Sequence, residues 1–112
     1  MPMIDRKLFD ELKENIGADY VEVLIDTFFK ESPELLAQMQ QALGAGDAES
    51  FRRAAHSLKS TSATFGAMTL SALARELEMI AKSGSICGTS GQIALLEAEF
   101  GQVKKELVAL KG

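Results

Sequence analysis

The sequence predicts an all-α fold, an antiparallel four-helix bundle with an additional short N-terminal helix. Apolar residues recur at spacings of three and four over four long segments, as they do in amphipathic helices. No segment shows the alternation of apolar and polar residues that is typical of a strand. A chain of 112 residues also has the length of one domain, so we expect residues 1–112 to share a single core.

Two helices are expected in the first part of the chain. Asp5 is the predicted N-cap of a short helix that runs to about Glu14. Asp19 is the predicted cap of a second helix. At Ser32 and Pro33 this second helix either bends or ends and restarts, because proline lacks the backbone donor of an uninterrupted helix. We favour one long bent helix that continues to the next glycine-rich break.

Three further helices are expected after that break. Asp47 is the predicted cap of the first of them, and Gly66 is its predicted stop or turn. The connection at Gly66 is so short that the helices on either side must be antiparallel neighbours. A loop rich in glycine and serine precedes the last helix, which is expected from about Gln92 to Lys111, with Gly112 as its end. The apolar stripes of the three helices extend over residues 51–65, 70–80 and 93–110.

Composition excludes several classes of function. The net charge of −4 and the pI near 5.0 argue against nucleic acid as a partner. No apolar run approaches the length that a membrane helix needs. Cys87 is the only cysteine, so there is no disulfide framework, which fits a reducing cytoplasm. We therefore expect a cytoplasmic protein in which Cys87 has no special role.

His56 is the only histidine, and helical geometry predicts that it faces solvent. The buried stripe of its helix contains Phe51 and Leu58, and His56 lies on the opposite side. Its exposed neighbours one turn on, Ser60 and Ala63, are small enough to let another protein approach the ring. The cations at helical spacing from the ring, which would favour an incoming phosphate, are Arg52, Arg53 and Lys59.

The tight turn at Gly66 brings Glu78 level with His56, because both antiparallel helices rise equally per residue. Lys82 lies level with Arg52 by the same argument. Spacing alone leaves open whether Glu78 flanks the near or the far side of His56. It also leaves open whether Glu78 simply pairs with Lys82, four residues later on the same helix.

The segment His56-Ser57-Leu58-Lys59, with Gly66 ten residues after the histidine, resembles the signature of histidine-containing phosphotransfer (HPt) domains. Ser60 departs from the family's usual glycine but is still small. The resemblance implies a single HPt-like helical bundle over residues 1–112. In that family the histidine carries a phosphoryl group between aspartates of response-regulator receiver domains.

The resemblance also implies roles for individual residues. HPt domains often have Gln or Glu at the offset of Glu78, which favours the near side, where its carboxylate would accept a hydrogen bond from Nδ1–H. Nε2 of His56 would then be the nucleophile. Lys59 and Lys82 would help to neutralise the phosphoryl oxygens. The residues expected to dock the partner are Arg52, Arg53, Ser60, Ala63, Gly66 and Lys82, and Met79 is a possible apolar addition.

The expected function is that of a phosphoryl carrier in a two-component phosphorelay, without autonomous kinase activity. The sequence has no glycine-rich phosphate loop or metal-binding carboxylate cluster, so no cofactor is expected and the partner must bring the aspartate and Mg²⁺. The expected partners are receiver domains or a hybrid sensor histidine kinase, with the chain itself a monomer. Two alternatives remain: the phospho-accepting module of a chemotaxis-type histidine kinase, phosphorylated directly by an ATP-binding domain, and a helical adaptor that binds without phosphorylation.

Overall fold

The structure, a computed structural model, describes residues 4–111. Over this range the chain forms helices and no strand, which confirms the all-α prediction. None of the helices in the range is long and apolar enough to cross a membrane. The residue expected to end the last helix, Gly112, lies outside the described residues. The helices are α1 (Arg6–Ile16), α2 (Ala18–Ala45), α3 (Ala48–Thr64), α4 (Met68–Lys82) and α5 (Ser90–Lys111).

Helices α2 to α5 form the predicted four-helix bundle. α2 packs against α3 and α5, and α4 packs against the same two helices, so the four enclose a common core. α1 is the additional short helix and packs against α2. One cluster of buried apolar residues takes members from all five helices. At its centre the ring of Phe28 lies 5.2 Å from that of Phe65 and 5.5 Å from that of Phe100.

The helix starts follow the predicted caps with one exception. The Asp5 carboxylate accepts hydrogen bonds from the first turn of α1, and Asp47 does the same for α3 through the backbone and hydroxyl of Ser50. Asp19, however, is not the cap of α2. Gly17 ends α1 with a φ of 88° and also begins α2. The chain therefore turns directly from one helix into the next, and Asp19 lies inside the first turn, where its charge still suits the helix dipole.

Pro33 lies inside α2, which is a single helix from Ala18 to Ala45. This outcome agrees with the favoured prediction of one long helix and excludes a restart at Ser32. Ser32 is fully buried within the helix. The bend itself stays a prediction.

The turn between α3 and α4 is held by the N-terminal segment. Gly66 has a φ of 78° and is buried, and its carbonyl accepts a hydrogen bond from the backbone of Asp5 at 2.9 Å. A Cβ atom at Gly66 would lie 2.9 Å from the carbonyl oxygen of Asp5 and 3.2 Å from Cβ of Leu8. The structural role expected of Gly66 is thus confirmed. Its placement among the docking residues is wrong, because the segment around Asp5 covers it.

Candidate functional site

His56 lies on the solvent side of α3, as its helical position predicts. Its side chain is 54% exposed. The opposite face of α3 is buried in the core and is formed by small and apolar side chains, which fix the rotation of the helix. The buried residues of α3 are Phe51, Ala54, Ala55, Leu58 and Ser62.

Glu78 lies on the near side of His56, which resolves the choice that spacing left open. The Glu78 Oε2 atom is 2.7 Å from Nδ1 of His56, across the contact between α3 and α4. Glu78 itself is only 4% exposed. A carboxylate this deeply buried requires hydrogen-bond partners, because burial of a charge without them is costly. The imidazole is one of the partners that the structure provides.

Lys59 is the second partner of the Glu78 carboxylate. Its Nζ atom donates to Oε1 at 2.8 Å, so each carboxylate oxygen has its own partner. The hydrogen bond from Lys59 is the main factor that lowers the pKa of Glu78 below its usual value. Burial acts in the opposite direction, and the hydrogen bond to His56 adds to the lowering. Glu78 is therefore ionised at neutral pH.

The ionised carboxylate determines which ring nitrogen of a neutral His56 carries the proton. A carboxylate can only accept hydrogen bonds, so Nδ1 must be the donor at 2.7 Å. Nε2 then has its lone pair free, on a ring that is more than half exposed. The ring therefore has one nitrogen bonded to a buried negative charge and one unprotonated nitrogen, on a side chain that is 54% exposed.

The surroundings of the ring include the two small residues named from the sequence. Ser60 and Ala63 are both exposed on α3. Met79, which follows Glu78 on α4, is 53% exposed and adds an apolar side chain to the exposed surface. These positions agree with the predicted solvent-facing sides of α3 and α4.

Arg52 and Arg53 both form ion pairs with an acidic residue that was not among the residues predicted from the sequence. Both bind Glu49, with Arg52 at 2.6 Å and Arg53 at 3.2 Å. Glu49 lies three and four residues before them, a spacing that could have predicted these pairs. Lys82 is exposed, and within the described part of the chain it makes no ion pair with Glu78, so the alternative pairing does not occur.

Ser71 is another residue near the site that was missed. Its hydroxyl on α4 donates to the backbone carbonyl of Lys59 at 2.9 Å. This bond ties α3 to α4 at the residue whose side chain binds Glu78. From the sequence, this hydrogen bond could have been suggested only by the expected side-by-side packing of the two antiparallel helices.

The described residues offer no metal centre. Between residues 4 and 111 there is no group of three or more His, Cys, Asp or Glu side chains that could hold a metal ion. Cys87 is exposed in the connection between α4 and α5.

Comparison with known proteins agrees with this geometry. The family model described as Hpt domain matches residues 23–110. Phosphorelay protein LuxU from Vibrio vulnificus (strain YJ016) is 32% identical over 98 residues, which cover 87% of this chain and 85% of that protein.

Two solved structures are similar to this one. The crystal structure of histidine-containing phosphotransfer protein B (HptB) from Pseudomonas aeruginosa PAO1 is 34% identical, with a TM-score of 0.91 over 98% of this chain and 95% of that chain. The HPT domain of an Hpt sensor hybrid histidine kinase from Shewanella shares the fold, at 19% identity, with a TM-score of 0.78 over 96% and 92% of the two chains. The chain therefore belongs to the Hpt domain family, and its function is histidine phosphotransfer in a phosphorelay.

Proposed function

We propose that Nε2 of His56 is the atom that accepts and donates the phosphoryl group. The observation that carries this proposal is the bond between Nδ1 of His56 and the buried Glu78 carboxylate, on a ring that is 54% exposed. His56 is also the only histidine of the chain, so a histidine phosphotransfer protein of this sequence has no other candidate.

The proposed reaction is an in-line attack of the Nε2 lone pair on the phosphorus of an acyl phosphate carried by an aspartate of the partner. An N–P bond forms, the bond between phosphorus and the acyl oxygen breaks, and the aspartate leaves as a carboxylate. The ring keeps its Nδ1 proton and becomes positively charged during the attack. Glu78 stabilises that charge, because its carboxylate is already bonded to Nδ1–H. Transfer to another aspartate is the reverse of this step.

The proposed partners are receiver domains, free or within a hybrid sensor histidine kinase. The relatives support this choice, since their names describe phosphorelay proteins and a domain of a hybrid histidine kinase. The partner would supply the aspartate and the Mg²⁺ ion, and this domain would have no kinase activity of its own. We also propose that the chain acts as a cytoplasmic monomer and, with a net charge of −4, does not bind nucleic acid.

The proposed docking surface surrounds the exposed ring. Ser60 and Ala63 provide a low surface on α3 that a partner can approach closely. Lys82 and the arginine pair at 52 and 53 would provide positive charge around it. The arginines would act with part of their charge compensated, since both bind Glu49.

The experiment is phosphotransfer from a phosphorylated receiver domain to the purified chain. We expect acid-labile, base-stable label on the wild type and none on His56→Gln, while circular dichroism shows that the variant remains helical. The control is Lys105→Met, a substitution at an exposed site on α5, which should accept label at the wild-type rate. Label that persists on folded His56→Gln would exclude His56 as the acceptor.

A parallel arm tests the chemotaxis-type alternative. An isolated ATP-binding kinase domain with ATP replaces the phosphorylated receiver. The chain aligns with 85% of the LuxU relative and 95% of the HptB chain, neither of which is named a kinase. We therefore expect faster labelling from the receiver than from the kinase domain.

A further inference from the structure

Three charged side chains at the start of α3 form a group of their own, Glu49 with Arg52 and Arg53, which we call the Glu49 cluster. Arg52 donates to both carboxylate oxygens of Glu49, from Nη2 to Oε1 at 2.6 Å and from Nε to Oε2 at 3.2 Å. Arg53 donates from Nε to Oε1 at 3.2 Å. One carboxylate thus binds two guanidinium groups, so the cluster keeps a net positive charge.

The Glu49 cluster lies next to the surface from which a partner must approach His56. Arg52 and Arg53 precede the histidine by four and three residues, which places them one helical turn from it. Glu49 lies a further turn towards the start of α3. It therefore holds both guanidinium groups on the side away from the ring. Within residues 4–111 the ion pairs of the two arginines are those with Glu49.

The pairs in the cluster are accessible to exchange. The side chains of Glu49 and Arg53 are 56% and 73% exposed, and that of Arg52 is 32% exposed. Ion pairs at this spacing on a helix surface contribute only about a factor of two each to an equilibrium constant, because water and salt compete with them. A carboxylate brought by another protein can therefore take the place of Glu49.

The arginines also have donors left for such a carboxylate. Arg53 uses only Nε, and Arg52 uses Nε and Nη2, whereas a guanidinium carries further N–H groups in a planar fork that suits a carboxylate. Asp47, the other acidic residue at this end of α3, is bound to the backbone and hydroxyl of Ser50 at 3.0 and 2.7 Å. Glu49 is thus the acidic residue with which a partner's carboxylates would compete.

We propose that Arg52 and Arg53 form a docking site for carboxylates of the receiver domain, and that Glu49 is its internal competitor. Glu49 occupies both guanidinium groups in the free chain and is displaced when the partner docks. It thereby weakens the complex, which suits a carrier that must leave one partner to reach the next. The inference rests on the proposed docking of a receiver domain around His56.

The first test measures the affinity of the unphosphorylated chain for the unphosphorylated receiver domain by calorimetry, so that no phosphoryl group contributes. Glu49→Gln should lower Kd about two- to fourfold, as the removal of two exposed ion pairs predicts. The matched control is Glu11→Gln, which removes the same charge from an exposed site on α1. The segment before α1 contacts Gly66, beyond the opposite end of α3, so Kd should stay within about 1.5-fold of the wild type.

The second test is a double-mutant cycle on the same Kd. The combined variant Arg52→Gln/Arg53→Gln should raise Kd at least about threefold, because two exposed charge contacts with the partner are lost. In this background Glu49→Gln should change Kd by less than about 1.5-fold, because there is no guanidinium left to release.

Nitrogen-15 NMR of the arginine Nε–H groups follows the exchange directly. The chain has four arginines, so single substitutions assign the signals of Arg52 and Arg53. We expect both signals to shift in Glu49→Gln, which removes the charged acceptor. We also expect both to shift when the receiver domain is added to the wild type. A pair that only stabilises the first turns of α3 would give the same signals with and without the receiver.

Each result decides the inference. An unchanged Kd in Glu49→Gln would overturn it, and so would an equal gain in both backgrounds, which would mean that Glu49 acts through its charge alone. Signals unmoved by the receiver would show that the arginines stay on Glu49 in the complex. If the receiver binds but no label reaches His56, the proposed function fails while the cycle still decides the role of Glu49. If the receiver does not bind the wild type, the docking surface and this inference fail together.

Discussion

Substitution of Gly66 by alanine tests how the turn that sets the site is built. An added Cβ would lie 2.9 Å from the carbonyl oxygen of Asp5 and 3.2 Å from Cβ of Leu8. It would also impose a φ of 78° on a residue with a side chain. The left-handed backbone costs about 1–2 kcal/mol and overpacking a further 1–3 kcal/mol or so. We therefore expect Gly66→Ala to lower the free energy of unfolding by about 2–5 kcal/mol.

Two other glycines separate these contributions. Gly17 also has a positive φ, of 88°, but a Cβ there would meet nothing within 4 Å. Gly17→Ala should therefore show the backbone cost alone, about 1–2 kcal/mol. Gly101 lies inside α5 with an ordinary φ and open space around it. Gly101→Ala should stabilise the protein by about 0.4–1 kcal/mol, because alanine restricts the unfolded chain and favours the helix.

Thermal unfolding followed by circular dichroism measures all three variants. For a domain of this size 1 kcal/mol corresponds to roughly 4 °C in Tm, so Gly66→Ala should unfold about 8–20 °C below the wild type. Equal Tm values for Gly66→Ala and Gly17→Ala would show that the contact with Asp5 contributes nothing. A Gly66→Ala protein as stable as the wild type would refute both parts of the reasoning.

Three further predictions concern stability. The pKa of Glu78 is lowered in the folded protein, so folding favours the ionised carboxylate. The ionised carboxylate therefore stabilises the fold above the usual pKa of 4.5, and this stabilisation is lost as pH falls through the lower folded-state pKa. The fall in Tm from about pH 6 to pH 3 should be smaller in Glu78→Gln than in the wild type. Asp47→Ala removes the cap contacts to Ser50 at 3.0 and 2.7 Å and should cost about 1 kcal/mol, measured as a lower urea midpoint. Phe28→Ala removes the ring that contacts both Phe65 and Phe100, and it should lower the free energy of unfolding by about 3–5 kcal/mol in the same assay. A loss below about 1 kcal/mol would show that the three rings do not pack as described.

The sequence was sufficient for the helices and for the two residues at the centre of the site. The exposure of His56 follows from the apolar stripe of α3, which fixes the rotation of the helix once Phe51 and Leu58 are buried. His56 and Glu78 lie at the same height along their two helices, because the connection between the antiparallel helices is short and both rise equally per residue. Both inferences use local periodicity, which is the most reliable information that a single sequence contains.

The parts that could not be predicted depend on long side chains and on contacts distant in sequence. Lys59 can reach several acceptors from one backbone position, so its choice of Glu78 requires the packed structure. The burial of Gly66 depends on Asp5, about sixty residues earlier, and no periodic pattern relates the two. Asp19 was misplaced as a cap because a glycine with positive φ can end one helix and begin the next with no intervening cap residue.

Glu78 fills its position in the contact between α3 and α4 at a cost in free energy that an apolar residue would avoid. A carboxylate with 4% exposure must be desolvated, and its two hydrogen bonds at 2.7 and 2.8 Å serve mainly to offset that cost. A methionine of similar size would pack there without any counterion, and it would leave both former partners, which are 54% and 27% exposed, able to bind water. What methionine cannot supply is an acceptor for Nδ1–H. The contribution of Glu78 is therefore to the state of His56 far more than to the stability of the bundle.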